Sequence, residues 1–211
     1  MLKTEVLEVS NLKGAIYGMR NPLQSYEKCD SKLELNDKGV EVFILGKNDL
    51  GLAKRLRKAG TDHRKFLRQI QVCVNITAPL FWWKEFDTYK VSTTANSEST
   101  MHTIHKRDLT LDDFSIDKLY PYCGEFNFMQ ETLNMLNNLR QKYIDTQDKM
   151  YWRALIELLP CSFNQMRTVT LNYETLLNMY HARKNHKLTE WHTFCNAIEE
   201  LPYFNEICLE D

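Results

Sequence analysis

The chain has 211 residues, of which 43% are hydrophobic and 26% charged, with a formal net charge of −1. This composition supplies a full core for a globular protein and excludes a binder of nucleic-acid backbones that works through a concentrated positive field. No run approaches the roughly 20 apolar residues of a membrane span, so neither a nucleic acid nor a membrane is an expected partner. The opening Met1-Leu2-Lys3-Thr4-Glu5 does not read as a signal peptide. Six cysteines (Cys29, Cys73, Cys123, Cys161, Cys195 and Cys208) are scattered without a CxxC pair. They read as reduced core thiols of a cytoplasmic protein. Seven glycines and five prolines are too few for long linkers, and a single domain over residues 1–211 is expected.

Residues 3–20 read as one or two short strands, and residues 24–39 as a polar loop closed by Asn36-Asp37-Lys38-Gly39. Residues 40–45 form a strand candidate ended by Gly46. A helix is expected over 49–59, with Asn48 as N-cap and Gly60 as the residue that follows it. From residue 70, Ile70, Val72, Val74 and Ile76 alternate with Gln71, Asn75 and Thr77, the period of a half-buried strand. Pro79 ends it and suits a first helical turn, so residues 80–90 continue at helical spacing. Residues 92–100 are small and polar, poor core material but a suitable lining for a polar ligand.

The spacing is weak from 103 to 125, where Asp112-Asp113 suits a short turn and Tyr120-Pro121-Tyr122 a rigid loop. Residues 127–148 carry Met129, Leu133, Leu136, Arg140 and Tyr143 down one side of a helix. A second helix over 149–159 stops at Pro160, and the segment from Cys161 to Thr170 is extended. Asn172 caps a helix running to about Lys184. The last helix places Trp191, Phe194, Cys195, Ile198 and Leu201 on one stripe, and Pro202 stops it.

Few patterns carry chemistry. His102 and His105 are three apart, but no third ligand arrives at a suitable spacing, so no metal is assigned. GxSxG, a P-loop and GxGxxG are all absent from the sequence. His63, Arg64, Lys65 and Arg68 form a cationic cluster that reads either as a solvated turn or as a phosphate or carboxylate site. Trp82 and Trp83 are core or interface anchors by type, and at most one of them, Trp83, is assigned to a ligand ring. Arg183 and Glu190 read by default as a structural ion pair between neighbouring helices.

Taken together, His63 and Phe66 stand in a turn ahead of a strand ending in Ala78-Pro79. Lys84-Glu85, Thr88-Tyr89-Lys90 and the run from Asn96 to His102 follow, then Leu159-Pro160, Asn172-Tyr173-Glu174, Arg183 and Glu190-Trp191-His192. This succession, over most of residues 40–201, resembles the flavin-dependent thymidylate synthases. Their pattern runs Ala-Pro, Arg-Gln, Arg-His-Arg, Asn-Glu-x-Ser-x-Arg-Tyr, Leu-Pro, Asn-Leu-Arg, Leu-Arg and Glu-Ile-Arg.

The resemblance implies an α/β (α+β) fold, a small antiparallel sheet packed with several helices, assembled as a homotetramer with sites where subunits meet. It implies FAD as cofactor, met by His63, Arg64, Trp83, Thr88, Tyr89, Lys90, Asn96 and Asn172. It implies a nucleotide-like substrate, deoxyuridylate (dUMP), met by Lys84, Glu85, Ser97, Ser99 and Arg183, with Ser99 and Arg183 in catalytic positions. NADPH and methylenetetrahydrofolate enter only with turnover, as sources of electrons and carbon. Arg64, Arg68, Lys84, Lys90 and Arg183 are set against phosphates.

Three replacements weigh against deoxyuridylate methylation. Only Lys90 is cationic where the family triplet has two permanent charges, Glu85 replaces a neutral amide, and Met101 replaces an arginine fork. Three readings stay open: a methyltransferase-like enzyme, a non-catalytic nucleotide binder or sequestering protein, and a structural oligomer.

Overall fold

The computed structural model describes residues 2–116 and 125–210. They gather into two compact units. One is formed by described residues within 1–3, 76–88 and 96–168, the other by those within 4–75, 89–95 and 169–211.

The alternating segment becomes strand β4 (Gln71–Pro79), with Val72, Val74, Ile76 and Ala78 buried and the residues between them half-buried. Period-two patterning puts these side chains on one face, and burial of each Val or Ile stabilises by about 1.5–3 kcal/mol. With β1 (Lys3–Ser10), β5 (Thr94–Ser97) and β6 (Asn164–Asn172) it forms a four-stranded sheet in the order β1-β4-β6-β5. The Tyr173 amide donates to the Ile70 carbonyl at 3.1 Å and the Leu80 amide to the Phe163 carbonyl at 3.0 Å. Opposite ends of β4 and β6 therefore meet, and this pair is antiparallel. The expected class, a small antiparallel sheet with several helices, is borne out.

In the unit that holds most of residues 4–75, the second strand expected before residue 20 is instead helix α1 (Leu12–Gly18). Ala15, Ile16 and Met19 are buried and Leu12 half-buried, a spacing of three and four that only a helix brings to one side. The polar segment 24–39 is not all loop. Strand β2 (Lys32–Leu35) pairs antiparallel with β3 (Glu41–Ile44), Leu33 opposite Phe43, and Asn36 Oδ1 accepts from the Lys38 and Val40 amides to close the hairpin. Gly39, at φ 72, supplies the left-handed turn residue.

Helix α2 (Lys47–Lys58) starts earlier than the sequence implied, and Asn48 is not its N-cap. The Asp30 carboxylate caps it from outside, accepting from the Asn48 amide at 2.8 Å and the Asp49 amide at 3.0 Å. Gly60, at φ 103, follows the helix as expected. Asp49 is fully buried, and its carboxylate accepts from the Arg20 guanidinium at 2.6 and 2.9 Å and from the Asp30 and Ser31 amides. Helices α7 (Tyr173–Arg183) and α8 (Thr189–Glu199) complete this unit, the latter burying Trp191, Phe194, Cys195 and Ile198 as its stripe requires.

In the other unit, α3 (Leu80–Phe86) starts directly after Pro79, its N-cap, but stops at Phe86, short of residue 90. The short α4 (Thr100–Thr103) follows β5. Helices α5 (Glu125–Thr146) and α6 (Lys149–Glu157) bury Met129, Leu133, Leu136 and Leu155 against Ile104, Leu109 and Phe114. Asp113 forms a capping box with Thr110 on the turn at Leu111–Asp113. The Tyr120-Pro121-Tyr122 turn lies outside the described residues.

Burial alone would raise the Asp49 pKa; hydrogen bonds from Ser31 and Arg20 outweigh it and hold the carboxyl at about 2. Its contribution to stability is therefore complete above the ordinary carboxyl range and is lost as the pH falls through about 2. Asp49→Ala leaves Arg20 buried without its carboxylate and should cost about 3–5 kcal/mol in a denaturant titration at neutral pH. The gap between variant and wild type should narrow when the titration is repeated near pH 2.

Candidate functional site

Arg64 and Arg68 lie on the single turn Arg64–Gln69, between α2 and β4. Both reach Glu174, in the first turn of α7. Arg64 Nε donates to Oε1 at 3.0 Å, Arg68 Nε donates to Oε2, and Arg64 Nη2 also donates to the Asn178 side-chain oxygen at 3.3 Å. Burial tends to raise the Glu174 pKa, but hydrogen bonds from Arg68 and Arg64 outweigh it and hold the carboxyl below its ordinary value. Two of the five cations expected to oppose phosphates, Arg64 and Arg68, thus already hold a carboxylate of their own chain. Asn172 is likewise engaged, its side-chain oxygen accepting from the Thr175 amide as the N-cap of α7.

Arg183 has a different environment. Its Nε donates to the Tyr89 hydroxyl at 2.8 Å, and its guanidinium carbon lies 4.7 Å from the Trp191 ring centre and 5.4 Å from that of Tyr89. Trp191 is wholly buried, while Arg183 and Tyr89 are half-buried. Of the residues expected at the site, Arg183 and Tyr89 are brought together; Trp191 was recognised only as core. A buried indole at the start of a helix gives no sign in the sequence that a cation rests on its face.

His63 is exposed and lines a cavity of about 860 Å³ in the same unit, with Met19, Leu52, Leu56 and Phe66 as apolar wall and Asp62, Lys65 and Gln69 among its polar groups. That volume and apolar lining match a site for a planar ring system. The Phe66 ring is buried, the expected partner of His63 in this turn.

In the other unit, Trp83 is a core residue rather than an open ring face. It is 1% exposed, its indole N–H donates to the Gln165 carbonyl at 2.9 Å, and Trp82 and Phe86 pack edge-on against it. The Arg167 guanidinium covers it at 4.2 Å and donates to Asp87 at 2.8 Å. Arg167 went unrecognised because nothing local distinguishes an arginine on a strand that covers an indole from one in solvent. Lys84 is exposed with its ammonium 3.5 Å from Cys161 Sγ, and Glu85 is half-buried, its carbonyl accepting from the Thr88 hydroxyl at 2.7 Å. Asn96, Ser97 and Ser99 are all exposed, the first two on β5 at the end of the strand order. Lys90, in the unit with Arg183, is exposed too. A cavity of about 700 Å³ is lined by Thr77, Asn164 and Met166 together with Lys3, Glu98, Arg107 and Asp113, and no residue predicted for a ligand is among its lining.

Glu174→Gln removes the charge on which Arg64 and Arg68 converge. The variant should lose about 1–2 kcal/mol of stability, because these are charge-assisted bonds at a half-buried site. The freed guanidinium groups should also make its melting temperature rise more steeply with added pyrophosphate than that of the wild type, which a thermal-shift titration reads directly.

No protein-family model matches the chain, and no curated protein matches it. Solved structures do. Thymidylate Synthase X from Helicobacter pylori with FAD and dUMP superposes with a TM-score of 0.71 at 17% identity, covering 100% of this chain and 98% of that one. A second structure of the Helicobacter pylori flavin dependent thymidylate synthase complexed with FAD and dUMP gives 0.72 at 17% identity, covering 99% and 98%. The chain therefore has the fold of a flavin-dependent thymidylate synthase along its whole length.

Proposed function

We propose that this protein binds a nucleotide and a flavin in the manner its fold neighbours do. The observation that carries this reading is the end-to-end match to an enzyme crystallised with FAD and dUMP. The cavity beside His63 has the size and apolar wall for an isoalloxazine or adenine ring. Arg183, half-buried on Trp191, is the residue for the nucleotide phosphate. FAD, when bound, supplies the capacity to accept and donate a hydride. The residues of this chain bind and orient: His63 at the ring, Arg183 at the phosphate, and Lys84, Lys90, Asn96, Ser97 and Ser99 as exposed polar groups. These become lining only when another subunit covers them, and assembly to a homotetramer provides that cover.

The second reading is a nucleotide binder that carries out no methylation. It is favoured by the closed Arg64–Arg68–Glu174 cluster and by Met101, whose thioether cannot take the place of an arginine fork. A visible absorption spectrum and thermal shifts with FAD and dUMP separate these cases. A yellow protein, stabilised by dUMP and oxidising NADPH when dUMP is added, establishes the enzyme. A colourless protein stabilised by dUMP alone establishes the binder, since preference for the folded state must raise stability. No shift with either ligand removes both.

Arg183→Ala should weaken dUMP binding by more than about 1 kcal/mol, measured by calorimetry on the folded variant. Unchanged affinity takes Arg183 out of the site.

A further inference from the structure

A 3-10 turn has about three residues per revolution, so side chains three apart stand above one another along it. On the turn Arg64–Gln69, which His63 leads into, this spacing sets His63, Phe66 and Gln69 on one side. All three line the cavity of about 860 Å³, while Arg64 and Arg68 reach Glu174 instead. Phe66 is buried and joins Met19, Leu52 and Leu56 in the apolar wall; Gln69 is exposed and brings a carboxamide to the same space. Two contacts fix where Gln69 stands. Its main-chain carbonyl accepts from Asn11 Nδ2 at 3.0 Å, which pins the end of the turn to the start of α1. Its side-chain oxygen lies over Gly18, where a Cβ would come within 3.3 Å of it, so the missing side chain leaves the carboxamide room. Among the described residues, that carboxamide has no hydrogen-bond partner.

A carboxamide sets a donor beside an acceptor, the arrangement that pairs with a donor and acceptor adjacent on the edge of a heterocycle. We propose that Gln69 is the specificity-determining residue of this cavity, pairing through its carboxamide with a planar ring that carries such an edge. The inference rests on the reading of the cavity as a ring site. Apolar walls accept any flat ring of suitable size, whereas a directional pair rejects one that leaves the amide unmatched. The other polar groups of the lining do not offer this pair. Asp62 only accepts, Lys65 only donates, and the two ring nitrogens of His63 point apart. Asn21, the second carboxamide there, has its oxygen taken by the Tyr26 hydroxyl at 3.2 Å. Two rings share the required chemistry: a flavin through its N3–H and C4 carbonyl, and adenine through its 6-amino group and N7.

Gln69→Leu tests this, because it keeps the bulk and removes both donor and acceptor. Calorimetric titrations on the wild type and the variant, each confirmed folded by its melting curve, use riboflavin and adenosine to distinguish the two rings. Each is matched with an analogue whose edge is altered, 3-methylriboflavin without the N3–H and purine riboside without the 6-amino group. For whichever ring binds, Gln69→Leu should weaken the parent compound roughly three- to tenfold, the effect of one hydrogen bond. The wild type should prefer the parent to its analogue by a similar factor, and the variant should bind the two alike. A merely structural role predicts equal losses for parent and analogue. That result, or a variant that binds the parent as tightly as the wild type, overturns the inference while leaving the ring site in place. A wild type that binds neither riboflavin nor adenosine removes the ring reading of the cavity, and the inference with it.

Discussion

Asp49 organises the start of this chain. A buried carboxylate without donors would cost several kcal/mol, and this one gathers donors from Arg20, Cys29, Asp30 and Ser31. Those donors come from residues 20–31, so the stretch ahead of the β2–β3 hairpin is gathered on one acceptor. Asp30, held there by its own amide, can then cap α2, and Ser31 Oγ accepts from the Gly46 amide at 3.0 Å. The turn that follows α2 carries His63, Arg64 and Arg68. Its anchoring therefore traces back to that carboxylate.

The same requirement, that a charge held against the protein be met, sorts these arginines, from the buried Arg20 to the exposed Arg68. Arg20, Arg64 and Arg68 are met by carboxylates. Arg167 is met by Asp87 and the Trp83 face. Arg183 is met by a phenol and two aromatic rings. A list of cationic residues in sequence order conceals these partners.

What was legible in the sequence follows the range of the interaction. The period-two run from Ile70 and the stripe from Trp191 to Leu201 declare buried faces, because each repeats a local geometry over several turns or pleats. Asn172 was legible as a cap, and its side-chain oxygen accepts from the Thr175 amide. Short elements were not legible: α1 has two glycines in seven residues, and β2 offers only four residues to alternate. Least legible were the long-range pairs. Glu174 stands 110 positions from Arg64 and 106 from Arg68, and no local pattern couples them. The order of small motifs did convey the fold, which superposes along the whole length on a structure only 17% identical in sequence.

Core and charged positions answer to different constraints. Buried positions such as Val72, Ile76, Trp82 and Leu171 need only apolar volume and the right period, which many residues satisfy. A charged group needs a partner at a particular point, and Glu174 has two, with Arg64 and Arg68 closing on its carboxylate. A carboxylate left alone there would be half-desolvated and would repel any nucleotide approaching it. Paired, it is neutralised, and the region becomes stable without a ligand.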